Sequence, residues 1–244
     1  MRKVEWTHVF TLRITHSTFH MSFMRWVQSS IGKKVMMAAS GLALTGFLIA
    51  HLMGNLLIFR GPDALNAYAK EARGLGPLLW VARLGLLAAA LIHIATSLQL
   101  ARENAAARPI GYRRVRRQET TWAARSMVAS GVGVGAYLVY HLLHFTFRLA
   151  HPELSRAVDA LGHHDVYLMV VRSFEQQPIA LAYVVGMAAV CFHVSHGFGS
   201  AFQTLGLTTE RTIPAWRLAS QLFALAIFLG YCSIPVAVFF GILP

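Results

Sequence analysis

Apolar positions in this chain gather into five long runs. They extend from about Val35 to Phe59, Pro77 to Leu100, Ala123 to Leu149, Pro178 to Phe202 and Trp216 to Leu243. At about 1.5 Å of helical rise per residue, roughly 20 residues cross the hydrocarbon core of a bilayer, and every run reaches that length. Runs this long are not strands, so the pattern predicts an all-α integral membrane bundle of five transmembrane helices. Composition agrees. Charged residues make up 13% of the chain, about half the share usual in a soluble domain, and mean hydropathy is +0.51.

The formal charge of +12 reflects 22 basic and 10 acidic residues. In a soluble chain that excess would suggest nucleic acid. Here Arg and Lys lie mostly outside the apolar runs, which points to membrane topology and lipid headgroups and to no nucleic-acid partner. The stretch ARENAAARPIGYRRVRRQETTWAAR holds seven arginines against two glutamates. With Lys33, Lys34, Arg211 and Arg217, it falls on one side of a five-span chain. The positive-inside rule makes that side cytoplasmic, with the N-terminus inside and the C-terminus outside. Trp80, Trp122 and Trp216 stand at span ends, as interfacial aromatic residues do. Residues 1–28 read as an N-terminal extension, with Met21 and Met24 as alternative starts. They have no apolar core that would make a secretory signal. The membrane domain covers residues 29–244.

The two cysteines, Cys191 and Cys232, are far apart and form no CxxC, and no GxGxxG follows a strand pattern. Thiolate-held iron–sulfur clusters, structural zinc and an intrinsic dinucleotide fold are therefore not expected. Any redox chemistry needs a cofactor held by other side chains.

His51, His93, His141 and His193 each lie inside a different apolar run. Ionisable residues at membrane depth are costly, and they usually face a bundle interior, a cavity or a cofactor. Span direction sorts them by depth: His51 and His141 fall in the outer leaflet, His93 and His193 in the inner. Two stacked bis-histidine sites follow, the ligand pattern of two haems b. A histidine proton relay in a transporter is the competing reading. His144 and His196 follow His141 and His193 by three residues, so each shares a helical face with its neighbour and rivals it as a ligand.

The stretches SSIGKKVMMAASGLALTGFLIAHLMGNLLIF, YLVYHLLHF and HVSHGFGSAFQTLGL resemble the dihaem cytochrome b anchor of bacterial succinate:quinone and quinol:fumarate oxidoreductases. The likeness spans about Ser29 to the C-terminus. It implies a single anchor polypeptide in the bacterial cytoplasmic membrane, with a flavoprotein and an iron–sulfur subunit on the cytoplasmic face. It also implies a quinone as substrate, with menaquinone expected. The family pairs the first and third histidine-bearing spans on one haem and the second and fourth on the other. Its patterns favour His141 over His144 and His193 over His196. One departure stands out: some menaquinol-oxidising relatives carry a proton-conducting glutamate where this chain has Cys191. Anchors of hydrogenases, formate dehydrogenases or nitrate reductases share the redox logic and remain alternatives.

Other polar residues are weaker candidates. Arg83 suits a haem propionate or a quinone oxygen, or snorkels to the outer interface. Ser29, Ser30, Lys33 and Lys34 open the first span, where capping and topology compete with a quinone role. Asp63, Tyr68 and Glu71 are candidates for proton exchange outside, against a reading as solvated loop residues. His163, His164 and Asp165 form a weak metal candidate. Gly131, Gly133 and Gly135, with Gly41, Gly46, Gly54, Gly186 and Gly197, suit close packing of a helix or a flat macrocycle. The Arg102–Arg125 stretch is a docking candidate for the iron–sulfur subunit.

Overall fold

The computed structural model describes residues 23–107, 126–159 and 162–243. Most of residues 1–28 and of the arginine-rich stretch, with Trp122, lie outside these. Among the described residues the chain is helical and has no strand; Val158 and His164 form an isolated bridge.

Helix α1, Ser30–Asn55, begins where Ser29 Oγ accepts the Gly32 N–H at 3.0 Å. That bond satisfies one of the free amide groups of the first turn. Ser29 is thus the cap, and Ser30 is an exposed first residue. A 3-10 stretch, Leu56–Arg60, extends α1 to Gly61, whose φ of 97° turns the chain back. Helix α2 is Pro62–Gly74 and α3 is Pro77–Ala106. Helix α4, Met127–His141, continues as a π turn over Leu142–Thr146. Then come α5, Val166–Glu175, α6, Gln177–Thr204, and α7, Ile213–Phe239.

Among the described residues five segments are long and apolar enough to cross a membrane: Ser30–Arg60, α3, Met127–Thr146, α6 and α7. They match the five apolar runs with shifted ends. Helix α3 runs beyond Leu100 through a polar tail, where Glu103 pairs with Lys33 of α1. Helix α7 stops at Phe239 because Gly241, at φ 68°, enters the left-handed region. The Ile242 N–H then folds back to the Ala237 carbonyl at 2.9 Å.

The spans form a ring. Helix α1 packs on α3 and α6, α6 packs on α4, and α4 meets α3 only lightly. Helix α7 lies outside the ring, mainly on α6. Around the ring, α1 and α4 are therefore diagonal to each other, and so are α3 and α6.

Helices α2 and α5 close one end, where sequence reading expects solvated loops. A short amphipathic helix shows its apolar residues every third or fourth position, which escapes a search for long apolar runs. Asn66 joins them. Its Oδ1 accepts the N–H groups of Val166 at 2.8 Å and Tyr167 at 3.0 Å, and its Nδ2 donates to Asp165 Oδ1 at 2.9 Å. Asp165 Oδ1 also accepts the Leu168 N–H, so two side chains cap α5 together. Beneath this lid lies a core that includes Ile58, Leu65, Val171, Phe174 and Ile234.

Candidate functional site

Each diagonal of the ring carries one histidine pair. His51 of α1 faces His141 of α4 with ring centroids 5.9 Å apart and planes at 82°. His93 of α3 faces His193 of α6 at 6.2 Å and 74°. The His51–His141 pair lies toward the α2/α5 lid, and the His93–His193 pair toward the Lys33–Glu103 end.

The His93–His193 pair rests on its neighbours' backbones. A β-carbon at Gly41 of α1 would stand 3.1 Å from Cε1 and 3.2 Å from Nδ1 of His93. One at Gly131 of α4 would stand 3.5 Å from Cε1 of His193. These two glycines let each imidazole lie against the helix beside it.

The Nδ1 atoms of this pair are both engaged. His93 Nδ1–H donates to the Met37 carbonyl at 3.0 Å. His193 Nδ1 is 3.1 Å from Ser130 Oγ, which itself lies 3.1 Å from the Met127 carbonyl. The single hydroxyl proton is spent on that carbonyl, so Oγ accepts from His193 Nδ1–H. A neutral imidazole protonated at Nδ1 keeps its lone pair on Nε2. Both rings thus have Nε2 free to accept, and their Nδ1 bonds are of the kind that metal-binding histidines usually make.

The His51–His141 pair sits among aromatic rings. Phe47 stacks on His51 at 5.3 Å, Tyr231 lies 6.2 Å away, and Tyr137 and Tyr183 stand 6.1 and 5.9 Å from His141. Tyr231 gives its proton to the Leu48 carbonyl at 2.8 Å. His141 Nδ1 is buried with no hydrogen-bond partner. Leaving such an atom unsatisfied costs about 1–3 kcal/mol.

The rivals are differently placed. His144 is completely buried (0% exposed), with Nδ1 3.0 Å from the Tyr183 hydroxyl and Nε2 3.1 Å from Ser173 Oγ. Ser173 donates to the Met169 carbonyl at 2.6 Å, so it accepts from His144 Nε2–H while Tyr183 donates to Nδ1. Neither nitrogen of His144 is left to bind a metal. The π turn explains why His144 parts from His141: a wider turn rotates less per residue, so three residues span a smaller arc. His196 Nε2 lies 3.0 Å from Ser200 Oγ, one turn along its own helix.

The proposed quinone residues do not gather. Ser30 and Lys33 start α1, and Lys33 is tied to Glu103; Glu71 is exposed on α2 at the other end. Arg83 is exposed on α3, its guanidinium carbon 5.2 Å from the Trp80 ring centroid, a cation–π contact on the outside of the bundle. Tyr68 packs on Gly54. Asp63 is exposed in the first turn of α2. Asp165 caps α5, and His163 pairs with Asp159 at 3.5 Å. Among the described residues no group of three or more His, Cys, Asp or Glu is arranged to hold a metal ion by itself. Two facing histidines offer two nitrogen donors, fewer than the four that a structural metal ion usually takes from protein side chains.

Ser130 and Met37 have no distinctive signal when read singly. A signal does exist in comparison: MAASGLALTGFLIAH (37–51) and MVASGVGVGAYLVYH (127–141) share Met, Ala, Ser, Gly, Leu and His at matching places. Both copies run from the methionine whose carbonyl anchors one pair to the histidine of the other pair.

No protein-family model, no curated protein and no solved structure matches this chain.

Proposed function

We propose that this chain is the membrane-anchor cytochrome b subunit of a succinate dehydrogenase/fumarate reductase complex. It passes electrons between an iron–sulfur subunit and a membrane quinone, with menaquinone the expected one. His51 with His141, and His93 with His193, would hold two haems b. The observation that carries this reading is the pair of facing imidazoles on each diagonal of the ring.

The residues fit the group. Two imidazoles on one metal have centroids roughly 6 Å apart, from two bonds of about 2 Å and the two ring radii. The centroids here are 5.9 and 6.2 Å apart. Met37 and Ser130 hold the tautomer that presents Nε2, and the partnerless His141 Nδ1 marks a site built for more than packing. Haem b held by these histidines would supply one-electron carriage.

The rest is positioning by the protein. Gly41 to His51 spans ten residues of α1, and Gly131 to His141 ten of α4. Each sets the two levels about 15 Å apart along the bundle. The aromatic residues around His51 and His141 exclude water from that level. In the proposed orientation the Lys33–Glu103 end faces the cytoplasm, and the arginine-rich stretch that follows α3 in sequence would dock the iron–sulfur subunit.

A reduced-minus-oxidised spectrum with haem quantitation on the purified complex tests this reading, together with the identity of its partners. Two low-spin haems b per chain and co-purifying flavin and iron–sulfur subunits are expected. Absence of haem would favour a histidine proton relay. Haem with a hydrogenase, formate dehydrogenase or nitrate reductase partner would keep the cofactors and overturn the complex.

A further inference from the structure

We propose that Ser130 is the positioning residue of the His93–His193 site, and that its hydroxyl sets the redox potential there by holding His193 Nδ1–H. The inference rests on the dihaem reading.

Three observations converge on Ser130. Its Oγ is within hydrogen-bond distance of both His193 Nδ1 and the Met127 carbonyl, so it links the ligand candidate to the backbone of α4. Gly131, the next residue, gives His193 the space to lie against that helix. The matching segment around Met37 shows what the hydroxyl does. There the Met37 carbonyl takes His93 Nδ1–H directly at 3.0 Å. In the second copy the corresponding Met127 carbonyl reaches His193 only through the hydroxyl. Ser130 therefore completes an anchor that α1 makes with backbone alone. Ser40, its counterpart in sequence, bonds the Met36 and Met37 carbonyls of its own helix.

The direction of the effect follows from charge. Oxidised iron withdraws more electron density from an axial imidazole, making Nδ1–H a stronger donor. Its hydrogen bond then stabilises the oxidised state more than the reduced state. Removing the acceptor raises the potential, as expected when a group outside the ligands no longer supports their basicity.

The test is a potentiometric titration of the purified complex, followed in the visible spectrum and by the low-spin electron paramagnetic resonance signals. The inner site is identified as the signal lost in His93→Ala. In Ser130→Ala its potential should rise. The ratio of oxidised to reduced form at fixed potential should change by up to about fivefold, the limit reached if a hydrogen bond near 1 kcal/mol acted on the oxidised state alone. A tenfold change corresponds to about 59 mV for one electron. The other site should not move, and Ser130→Thr, which keeps the hydroxyl, should titrate like the parent. If Ser130→Ala does not retain the site, Ser130→Cys, with its weaker acceptor, should raise the potential above that of the parent. Unshifted potentials in Ser130→Ala or Ser130→Cys overturn the inference, as does a Ser130→Thr shift as large as that of Ser130→Ala. Haem missing from the parent complex would instead contradict the dihaem reading on which the inference stands.

Discussion

Gly41 and His93 lie in direct contact across the α1–α3 interface, so close that a β-carbon on Gly41 would stand 3.1 Å from the imidazole. The helix and the ligand candidate are thus fitted to each other. The same α1 backbone that gives way at Gly41 receives His93 Nδ1–H four residues earlier, at Met37.

Gly41→Ala should therefore push His93 off its anchor at a cost of about 1–3 kcal/mol, the range for overpacking. Gly131→Ala, with its nearest ring atom at 3.5 Å, should be milder. Haem content per chain and thermal stability in detergent check the ranking. Equal tolerance at both positions would contradict it.

His144→Ala removes a buried ring and leaves the Tyr183 hydroxyl without its acceptor and Ser173 Oγ without a donor. A loss of about 2–3 kcal/mol in stability is expected, with both haems retained. A stable His144→Ala protein lacking one haem would reverse the choice between His141 and His144.

Asn66→Ala takes away three of the hydrogen bonds that tie α2 to the start of α5. Asp165 still caps Leu168, so the expected cost is about 1–2 kcal/mol, confined to the lid. Faster amide exchange across residues 166–175, with the spans unchanged, is the expected pattern.

His164 gives the lid a pH dependence. Burial, reinforced by Arg148 and Arg73, holds its imidazole below the usual 6.5, and its Nε2 is buried without a partner. The unfolded segment then binds the proton more readily than the folded one. Its stabilising contribution is intact above about pH 6.5 and is lost as pH falls toward the lowered value. Amide protection at residues 162–165, taken relative to the intrinsic exchange rate at each pH, should fall between pH 7 and pH 5, and His164→Gln should abolish the difference.

Much of the scaffold was legible because membrane spans are written in long apolar runs, and the four histidines stood out against them. Topology alone paired His51 with His141 and His93 with His193, and these are the rings that face each other. Span ends were less legible, since Glu103 extends α3 by pairing with a residue far away in sequence. Asn66 was invisible for the same reason: its partners lie on α5. His141 and His144 looked equivalent because three residues share a face on an α-helix, and only the π turn separates them. Ser130 was hidden in a run of small residues read as packing. Its meaning came from the acceptor that it places beside His193.

The most direct test of the central claim is haem stoichiometry across four single variants, His51→Ala, His93→Ala, His141→Ala and His193→Ala. The parent complex should carry two low-spin haems b per chain and each variant one, with His51→Ala and His141→Ala losing the same spectral component and His93→Ala and His193→Ala losing the other. A parent without haem, or variants whose losses group in any other way, would contradict it.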